Sequence, residues 1–298
     1  MNKQIVKSNH VIEASYRLSL NEQRLILLCI QQIKKGQVIT AEKPFLVSAA
    51  EVASAYNVTT DRAYVFLQEV ADKLYERSLT IFKPDPELPH KQTKTRWITA
   101  IDYLETEGRI YLYFAPKVIP YISMLESGFT RYNLAYIAPM TSVYGIRFYE
   151  LFKCWLMNNK TITKPISLDD LKELLDLKGQ YPSIKDFKLK VLDRGLEDVN
   201  RHTDLAVSYE NKRTGRKITS LEFTISSRPP AAQPPKVLPT ADHALSPKIE
   251  ADSTVAAERA EVLRSFNHAL NSSKLANQSL EQTVSAKELK RFKEYGLI

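Results

Sequence analysis

One pattern of apolar and polar positions occurs twice in this chain, about 120 residues apart. The first copy spans residues 45–82 and the second spans residues 166–209. Each predicts a short strand, a compact helix, a turn, a longer helix and a β-rich segment. Within the compact helices the apolar i, i+3, i+4, i+6 spacing is shared, with Val52, Ala55, Tyr56 and Val58 in the positions of Leu171, Leu174, Leu175 and Leu177. This repeat predicts an α+β fold of two tandem winged helix-turn-helix domains.

An apolar helix precedes each copy of the repeat, at residues 20–33 and 142–157. Extended structure is expected at 11–16, strands at 79–83, 96–104 and 108–115, a helix at 117–125, and a hairpin at 205–225 that turns at Gly215. We therefore expect a first winged-helix domain over residues 1–130, which supplies dimerisation and DNA-backbone contacts. A second domain over residues 131–228 is expected to provide the main DNA recognition.

The composition changes after Arg228, where six of the 15 prolines fall between Pro229 and Pro247. Proline removes a backbone donor and does not continue a helix, so this stretch is predicted to be an extended linker. Helix-forming residues return at 250–270 and 285–295. Residues 229–298 are therefore expected to form a Pro-rich linker and a flexible, partly helical tail.

Composition and charge favour a soluble protein with a polyanionic partner. The 298 residues carry a formal net charge of +8, with the basic excess in the repeated part. Cys29 and Cys154 lie on apolar helix faces without a CxxC pattern, which favours buried thiols in a reducing compartment. The first 16 residues contain no apolar segment of the kind found in signal peptides, so we expect none, and no run reaches the roughly 18 apolar residues of a membrane span. We expect a cytoplasmic protein that does not contact membranes.

In a helix-turn-helix the second helix contacts base edges, so it is the first place to look for binding residues. In the second domain this helix starts near Ser183. A helical wheel places Ile184, Phe187, Val191 and Leu192 inward, and Asp186, Leu189, Lys190 and Asp193 outward. Lys185 and Arg194 fall on the margins, and Lys188 falls nearer the apolar side. The alternative is a helix face that is merely solvated.

Candidate DNA contacts of the second domain are the helix residues Lys185, Lys188, Lys190 and Arg194 and the wing residues Lys212, Arg213, Arg216 and Lys217. The first domain adds Arg62, Lys94 and Arg96 as candidates. Its second helix, residues 60–77, is predicted to bury Ala63, Phe66, Val70 and Leu74 and to expose Arg62, Tyr64, Gln68 and Asp72. Because this outer face is less basic, we expect backbone contacts or a protein interface there.

The sequence contains no pattern of a catalytic, metal or cofactor site, and we expect a protein that is not an enzyme. A DNA-nicking tyrosine enzyme needs a metal held by a His-x-His pair. The histidines are scattered, at His10, His90, His202, His243 and His268. A helicase-type protein needs a GxxxxGK[ST] loop, which is also missing. A transcriptional regulator with two winged helices shares every feature described above and remains an alternative.

Five motifs carry a resemblance to a known family: LSLNEQRLILLCIQQI at Leu18, SVYGIRFYELFKCWL at Ser142, ISLDDLKELLDL at Ile166, YPSIKDFKLKVLDRGLEDVNRHTDL at Tyr181 and GRKITSLEFTI at Gly215. Over residues 5–227 the chain resembles the initiator replication proteins of iteron-containing plasmids. The resemblance implies that Arg147, in the SxYxxRxYEL motif, contacts phosphate or base. The chain departs from the family at Leu189, which separates Lys188 and Lys190 where a basic pair is usual.

The resemblance also implies a mechanism. Monomers would bind direct repeats of double-stranded DNA at a plasmid origin, with their two domains in successive major grooves about 10 base pairs apart. Binding adjacent repeats would bend the DNA and help to open the origin. The assembly would recruit a host initiator and the replicative helicase. A dimer, paired through the first domain, would bind the operator of its own promoter and repress it, so that the monomer–dimer equilibrium controls copy number.

Overall fold

The computed structural model describes residues 4–34, 36–56, 60–82, 91–104, 107–123, 125–228, 265, 269 and 284–294. The chain divides into two compact units, Met1–Pro234 and Pro235–Ile298. The first unit contains both copies of the repeat. Each copy forms a strand, two helices and a β-hairpin or sheet, which confirms the predicted α+β fold of two winged-helix domains.

The first half of this unit contains, in chain order, β1 (Gln4–Ser8), α1 (Asn9–Ile12), β2 (Ser15–Tyr16), α2 (Leu20–Gln31), β3 (Phe45–Ser48), α3 (Ala49–Tyr56), α4 (Thr60–Tyr75), β4 (Ser78–Phe82), β5 (Gln92–Arg96), β6 (Ile98–Leu104), β7 (Arg109–Phe114) and β8 (Phe129–Asn133). Three small antiparallel sheets form, in the orders β1-β8, β2-β4-β5 and β3-β7-β6. Helix α4 is the second helix of the helix-turn-helix, and β4 with β5 forms its wing. The proposed boundary between residues 130 and 131 falls within β8 and stays a prediction.

Two predicted elements of the first domain were wrong. Residues 117–125 were expected to be helical, but only a 3-10 turn, Ile119–Tyr121, forms there. Pro120 lies inside this turn and has no amide hydrogen to donate, so a regular helix does not continue through it. Residues 11–16 were expected to be extended. Instead α1 ends at Ile12, with Ser8 accepting a hydrogen bond from the His10 amide at its start, and only β2 is extended.

The second half contains α5 (Val143–Leu156), β9 (Thr161–Ser167), α6 (Leu168–Leu174), α7 (Ile184–Phe187), a π-helical segment (Lys188–Leu192), α8 (Asp193–His202), β10 (Leu205–Thr214) and β11 (Lys217–Ser227). The strands form one antiparallel sheet in the order β10-β11-β9. The hairpin turns at Gly215, whose φ of 61° lies in the left-handed region that glycine adopts at no steric cost. Serine caps begin the first helix of both helix-turn-helix motifs, at Ser48 and Ser167.

Helix α8 packs closely against α5 because both helices have glycine at the contact. A Cβ on Gly195 would lie 2.4 Å from Cδ2 of Phe148, and a Cβ on Gly145 would lie 2.8 Å from Cβ of Asp198. The Asp198 carboxylate also accepts hydrogen bonds from the backbone amides of Thr141 and Ser142, at the start of α5. Helix α8 is therefore held in a fixed position on α5.

Hydrogen bonds connect the two halves of the first unit. The Gln23 side chain donates to the carbonyl of Val143 at 3.0 Å. Arg24 donates to the carbonyls of Ala138 and Met140 at 3.2 and 3.0 Å. Since Gln23 and Arg24 lie on α2, this helix fixes the segment that leads into α5.

Both cysteines are buried, as predicted. Burial raises the pKa of Cys154 to about 12 and also raises the pKa of Cys29, so both thiols stay protonated at neutral pH. In the ranges that the structure describes, no helix has the length and apolarity to cross a membrane.

In the second unit, α9 (Ala286–Glu294) confirms the short helix predicted at residues 285–295. The Ser285 side chain accepts from the Glu288 amide, and Glu288 accepts from the Ser285 amide in return, which is a capping box. The predicted Pro-rich linker at 229–247 lies outside the described residues, as does the predicted helix at 250–270 except for residues 265 and 269.

Candidate nucleic-acid interface

The second helix of the second domain exposes Lys190, which the helical wheel placed outward, and also Lys185 and Arg194, which the wheel placed on the margins. Ser183 caps its start by accepting a hydrogen bond from the Asp186 amide. Phe187, Val191 and Leu192 are buried, whereas Lys185, Lys190 and Arg194 are exposed. In the described part of the chain, these three cations form no ion pair with a carboxylate. Their charges are therefore available to an anionic partner.

The helix and the wing are joined through Tyr209 on β10. The Tyr209 hydroxyl donates to the Asp193 carboxylate at 3.0 Å, and the Lys188 ammonium lies 5.2 Å from the centre of the Tyr209 ring. Burial, and then the hydrogen bond to Asp193, raise the pKa of Tyr209, so the hydroxyl stays a donor. Lys188 is half-buried in this contact, in agreement with its place near the apolar side of the wheel. These contacts set the angle between recognition helix and wing.

The wing carries three cations at its tip and one that is paired. Lys212 lies between two carboxylates, with its Nζ 2.6 Å from Glu222 and 3.3 Å from Glu210. Hydrogen bonds to these two groups raise the pKa of Lys212. Arg213, Arg216 and Lys217 are exposed and have no carboxylate partner among the described residues. The wing therefore offers three unpaired positive charges instead of the four that were expected.

The candidates of the first domain differ in availability. Lys94 is exposed on β5. Arg96 forms a salt bridge of 3.1 Å with Glu76, donates to the Tyr75 carbonyl and lies over the Tyr75 ring. Arg62 belongs to α4, but its side chain lies outside the described residues. The exposed face of α4 includes Glu69, Asp72 and Lys73 and is less basic than the face of the second domain, as expected.

The expected contact of Arg147 with DNA does not fit the structure. Arg147 is only 3% exposed. Its guanidinium donates to the carbonyls of Ile12 and Ala14 at 2.9 Å and of Leu174 at 3.0 Å, and it lies 3.7 Å from the centre of the Tyr16 ring. Residues 12–16 belong to the first half of the unit and Leu174 to the second. Arg147 therefore joins the two domains from the inside, because its planar fork of donors can bind several carbonyls at once.

Glu150, one helical turn after Arg147, is the centre of a buried ionic cluster that the sequence analysis missed. It accepts two hydrogen bonds from the Lys7 ammonium, at 2.9 and 3.0 Å, and further bonds from the hydroxyls of Tyr132 and Tyr16. Burial is the largest single effect on Lys7 and lowers its pKa, but the charge of Glu150, the influence of Tyr16 and the hydrogen bond to Glu150 together outweigh it, so the pKa of Lys7 is raised. The signal was present in the motif: an Arg and a Glu, i and i+3, inside an otherwise apolar helix suggest paired buried charges.

Among the described residues, no group of three or more His, Cys, Asp or Glu side chains could hold a metal ion. The candidate interface is instead a surface with exposed cations, formed by the second helix of the second domain, which is about five turns long, and the hairpin beside it. Such a helix fits the major groove of B-DNA, and cations on a hairpin can bind the adjacent phosphates.

Together, the fold and this surface define a class, the proteins with two tandem winged-helix domains. Residues 4–153 match the family model described as "Initiator Replication protein, WH1", and residues 167–225 match "Initiator Rep protein, WH2". The chain belongs to this family of initiator replication proteins, which confirms the resemblance found in the sequence.

Individual proteins are also similar to this chain. An Escherichia coli protein described as a replication initiation protein is 25% identical over 229 residues, which are 74% of this chain and 69% of that one. A second Escherichia coli protein, described as an uncharacterized 27.6 kDa protein, is 25% identical over 234 residues, which are 74% of this chain and 95% of that one. The crystal structure of the Pi initiator protein in complex with iteron DNA matches with a TM-score of 0.63 and 24% identity, covering 76% of this chain and 98% of that one. This last similarity supports the fold.

Proposed function

We propose that this protein initiates plasmid replication by binding direct repeats of double-stranded DNA at an origin. Two observations support this proposal. The chain belongs to the initiator family, and the second helix and wing of its second domain expose cations that lack carboxylate partners in the described residues. The two-domain fold that it shares with the Pi initiator protein, which was solved with iteron DNA, supports the same kind of ligand.

Base recognition is assigned to the second domain, with Lys185, Lys190 and Arg194 on the helix and Arg213, Arg216 and Lys217 on the wing. The first domain contributes backbone contacts through Lys94. A monomer would place its two recognition helices in successive major grooves, about 10 base pairs apart. Bound side by side on several repeats, monomers would bend the origin and lower the cost of opening an adjacent AT-rich segment.

Two further steps belong to the proposal. The assembled monomers recruit the host initiator and the replicative helicase. A dimer, paired through the less basic first domain, binds the operator of the protein's own gene and represses it. Analytical ultracentrifugation of the full chain tests the predicted dimer. Without DNA the chain is expected to sediment as a dimer, and with a duplex of one repeat it is expected to form a 1:1 complex.

Lys190 is expected to contact a base. Its replacement by alanine should lower the affinity for the preferred repeat by about 1–3 kcal/mol and relax the preference at one base pair. The measurement is a titration of the full chain against every single-base variant of the repeat. Lys160→Ala is the matched control, since Lys160 is an exposed lysine beside β9, at the end of the sheet opposite the hairpin turn. Equal weakening on all variants would instead assign Lys190 to a phosphate.

The residues after Arg228 are expected to be dispensable for binding a single repeat. Arg228 itself closes the second domain, because its backbone amide donates to the Asp204 carbonyl at 2.8 Å and its guanidinium donates to the carbonyl of Thr203 at 3.2 Å. A chain that ends at Arg228 should bind one repeat within a few-fold of the full chain. A ten-fold loss, about 1.4 kcal/mol, would place part of the tail in the DNA interface.

Maintenance of a replicon tests the initiator function itself. The gene and its flanking repeats are placed on a DNA circle that has no other origin, and transformants are counted. Colonies are expected with the intact gene and none with a frameshift early in it. If the protein represses its own promoter but supports no replicon, it is a winged-helix transcriptional regulator.

A further inference from the structure

Leu189 is an exposed aliphatic residue in the middle of the recognition helix. Its side chain is 58% exposed, while Phe187 and Val191 on either side of it are completely buried. It lies in the π-helical segment and separates Lys188 from Lys190. Single exposed leucines are common on protein surfaces, so exposure by itself indicates nothing.

The first domain has an exposed aliphatic residue at the same position of its recognition helix. Val65 is 52% exposed and is the sixth residue of α4, just as Leu189 is the sixth residue counted from the start of α7. The buried residues on both sides also correspond: Ala63 and Leu67 flank Val65 in the way that Phe187 and Val191 flank Leu189.

The packing beyond this point supports the same alignment. In α4 the next buried positions are Val70, Ala71 and Leu74. In the second domain Leu192 directly follows Val191 as an additional buried residue, and Gly195, Leu196, Asp198 and Val199 are buried after it. Gly195, Leu196 and Val199 lie one residue further along their helix than Val70, Ala71 and Leu74 lie along α4. A π-helical turn adds one residue to a helix, and Lys188–Leu192 supplies it. Val65 and Leu189 are therefore equivalent by core packing as well as by counting.

The surroundings of Leu189 identify the chemistry of its partner. Lys185, Lys190 and Arg194 are exposed on the same helix, and so are Asp186 and Asp193. Asp193 accepts a hydrogen bond from the Tyr209 hydroxyl. Three further cations, Arg213, Arg216 and Lys217, are exposed on the wing. Lys188 does not cover Leu189, because its ammonium lies over the Tyr209 ring. An apolar group on a surface where cations outnumber carboxylates matches a thymine in the major groove, since the 5-methyl of thymine is the apolar group on the major-groove edge of a base pair.

We propose that Leu189 is a specificity-determining residue that packs against the 5-methyl group of a thymine in the bound repeat. This proposal rests on the proposed binding of duplex repeats and adds to it the base that is recognised and the group that recognises it. A lysine or arginine at this position would favour guanine or phosphate. Leucine donates no hydrogen bond and selects for thymine through its methyl group.

The test uses the full chain and a repeat that the chain itself selects from a randomised duplex library. Each thymine of the selected repeat is then replaced, one at a time, by deoxyuridine, which lacks only the 5-methyl group. For the unaltered protein, one replacement should weaken binding about three- to five-fold, the amount expected for burial of one methyl group. In Leu189→Ala the same replacement should have no effect, while the responses at all other thymines stay unchanged.

Met157→Ala is the matched control. Met157 is 71% exposed, follows α5 and precedes β9, whose first residue pairs at the end of the sheet opposite the wing tip. This variant should keep the full response to deoxyuridine at every position. Thermal unfolding of Leu189→Ala should match that of the unaltered chain, because an exposed side chain contributes little to the core.

Three results separate the possible failures. If the full chain enriches no sequence, the proposed function fails, and with it this inference. If a repeat is enriched but Leu189→Ala responds to every deoxyuridine replacement as the unaltered chain does, the thymine contact is overturned while the proposed function stands. If Leu189→Ala affects only cooperative binding to tandem repeats, Leu189 contacts a neighbouring protein molecule, and the thymine contact is again overturned.

Discussion

Replacing Glu150 with glutamine is expected to lower the free energy of unfolding by about 3–5 kcal/mol, the usual effect of breaking a buried ion pair. Glutamine keeps the shape of the side chain but removes the charge that holds the Lys7 ammonium, which is 3% exposed. The hydroxyls of Tyr16 and Tyr132 also lose their anionic acceptor. Urea denaturation of the unaltered chain and the variant measures the difference.

Two controls distinguish a buried ion pair from a general sensitivity of the chain. Glu173→Gln removes an exposed partner, 3.8 Å from the exposed Lys178, and should change the free energy of unfolding by less than about 0.5 kcal/mol. The double variant Lys7→Met, Glu150→Gln removes both charges and should be more stable than Glu150→Gln alone. If the double variant were as unstable as the sum of its single changes, the loss would come from packing and hydrogen bonds and not from an unpaired charge.

The single variant Glu150→Gln should also gain a dependence of stability on pH. In the unaltered protein the pKa of Lys7 is raised above its ordinary 10.5, so the contribution of Lys7 is complete below that value and is lost only as the pH rises through the raised pKa. Without Glu150, burial dominates and lowers the folded pKa below 10.5. The unfolded chain then binds the proton more tightly, and the stability of Glu150→Gln should rise as the pH rises from the lowered folded pKa toward 10.5.

The sequence predicted the buried and exposed sides of the second helix well because helical periodicity determines which side chains of a single helix are buried. Phe187 and Val191 were placed inside, Lys190 outside and Lys188 near the apolar side, and the structure agrees on all four. The extra residue of the π-helical segment was not predicted, since a wheel assumes one period throughout. Up to Val191 the extra residue changes little. After the π-helical segment, the buried positions that match those of α4 lie one residue later in the helix.

Arg147 shows why the rest could not be predicted in the same way. The motif that contains it was correctly assigned to the family, yet the environment of an arginine depends on what packs on its helix from elsewhere in the chain. Here the carbonyls of Ile12 and Ala14 come from more than 130 residues away, with sequence separations of 135 and 133. No local pattern reveals such a contact. Pairing on the wing was missed for the same reason, because Lys212 meets Glu222 only after β10 and β11 align.

Replacing the three cations at the wing tip with alanine is expected to make the salt dependence of DNA binding much shallower. Each phosphate contact made by a cation releases condensed counterions, so the slope of log affinity against log salt changes by about 0.9 per contact. Removing Arg213, Arg216 and Lys217 together should therefore reduce the slope by about two to three units. For a four-fold rise in salt, the unaltered chain should lose about 16- to 64-fold more affinity than the triple variant. Affinity for one selected repeat across a salt series provides the measurement.

A Lys212 variant is the control that shows whether only unpaired cations contribute to the slope. It belongs to the same hairpin, but its ammonium is held by Glu222 and Glu210, so Lys212→Ala should leave the slope within about half a unit of the original. A double replacement of Lys160 and Lys164, both exposed and on the β9 side of the sheet, controls for loss of net charge and should also leave the slope unchanged. If the triple variant and the unaltered chain gave parallel lines, the wing would lie outside the DNA interface. The recognition helix would then carry all the electrostatic binding of the second domain.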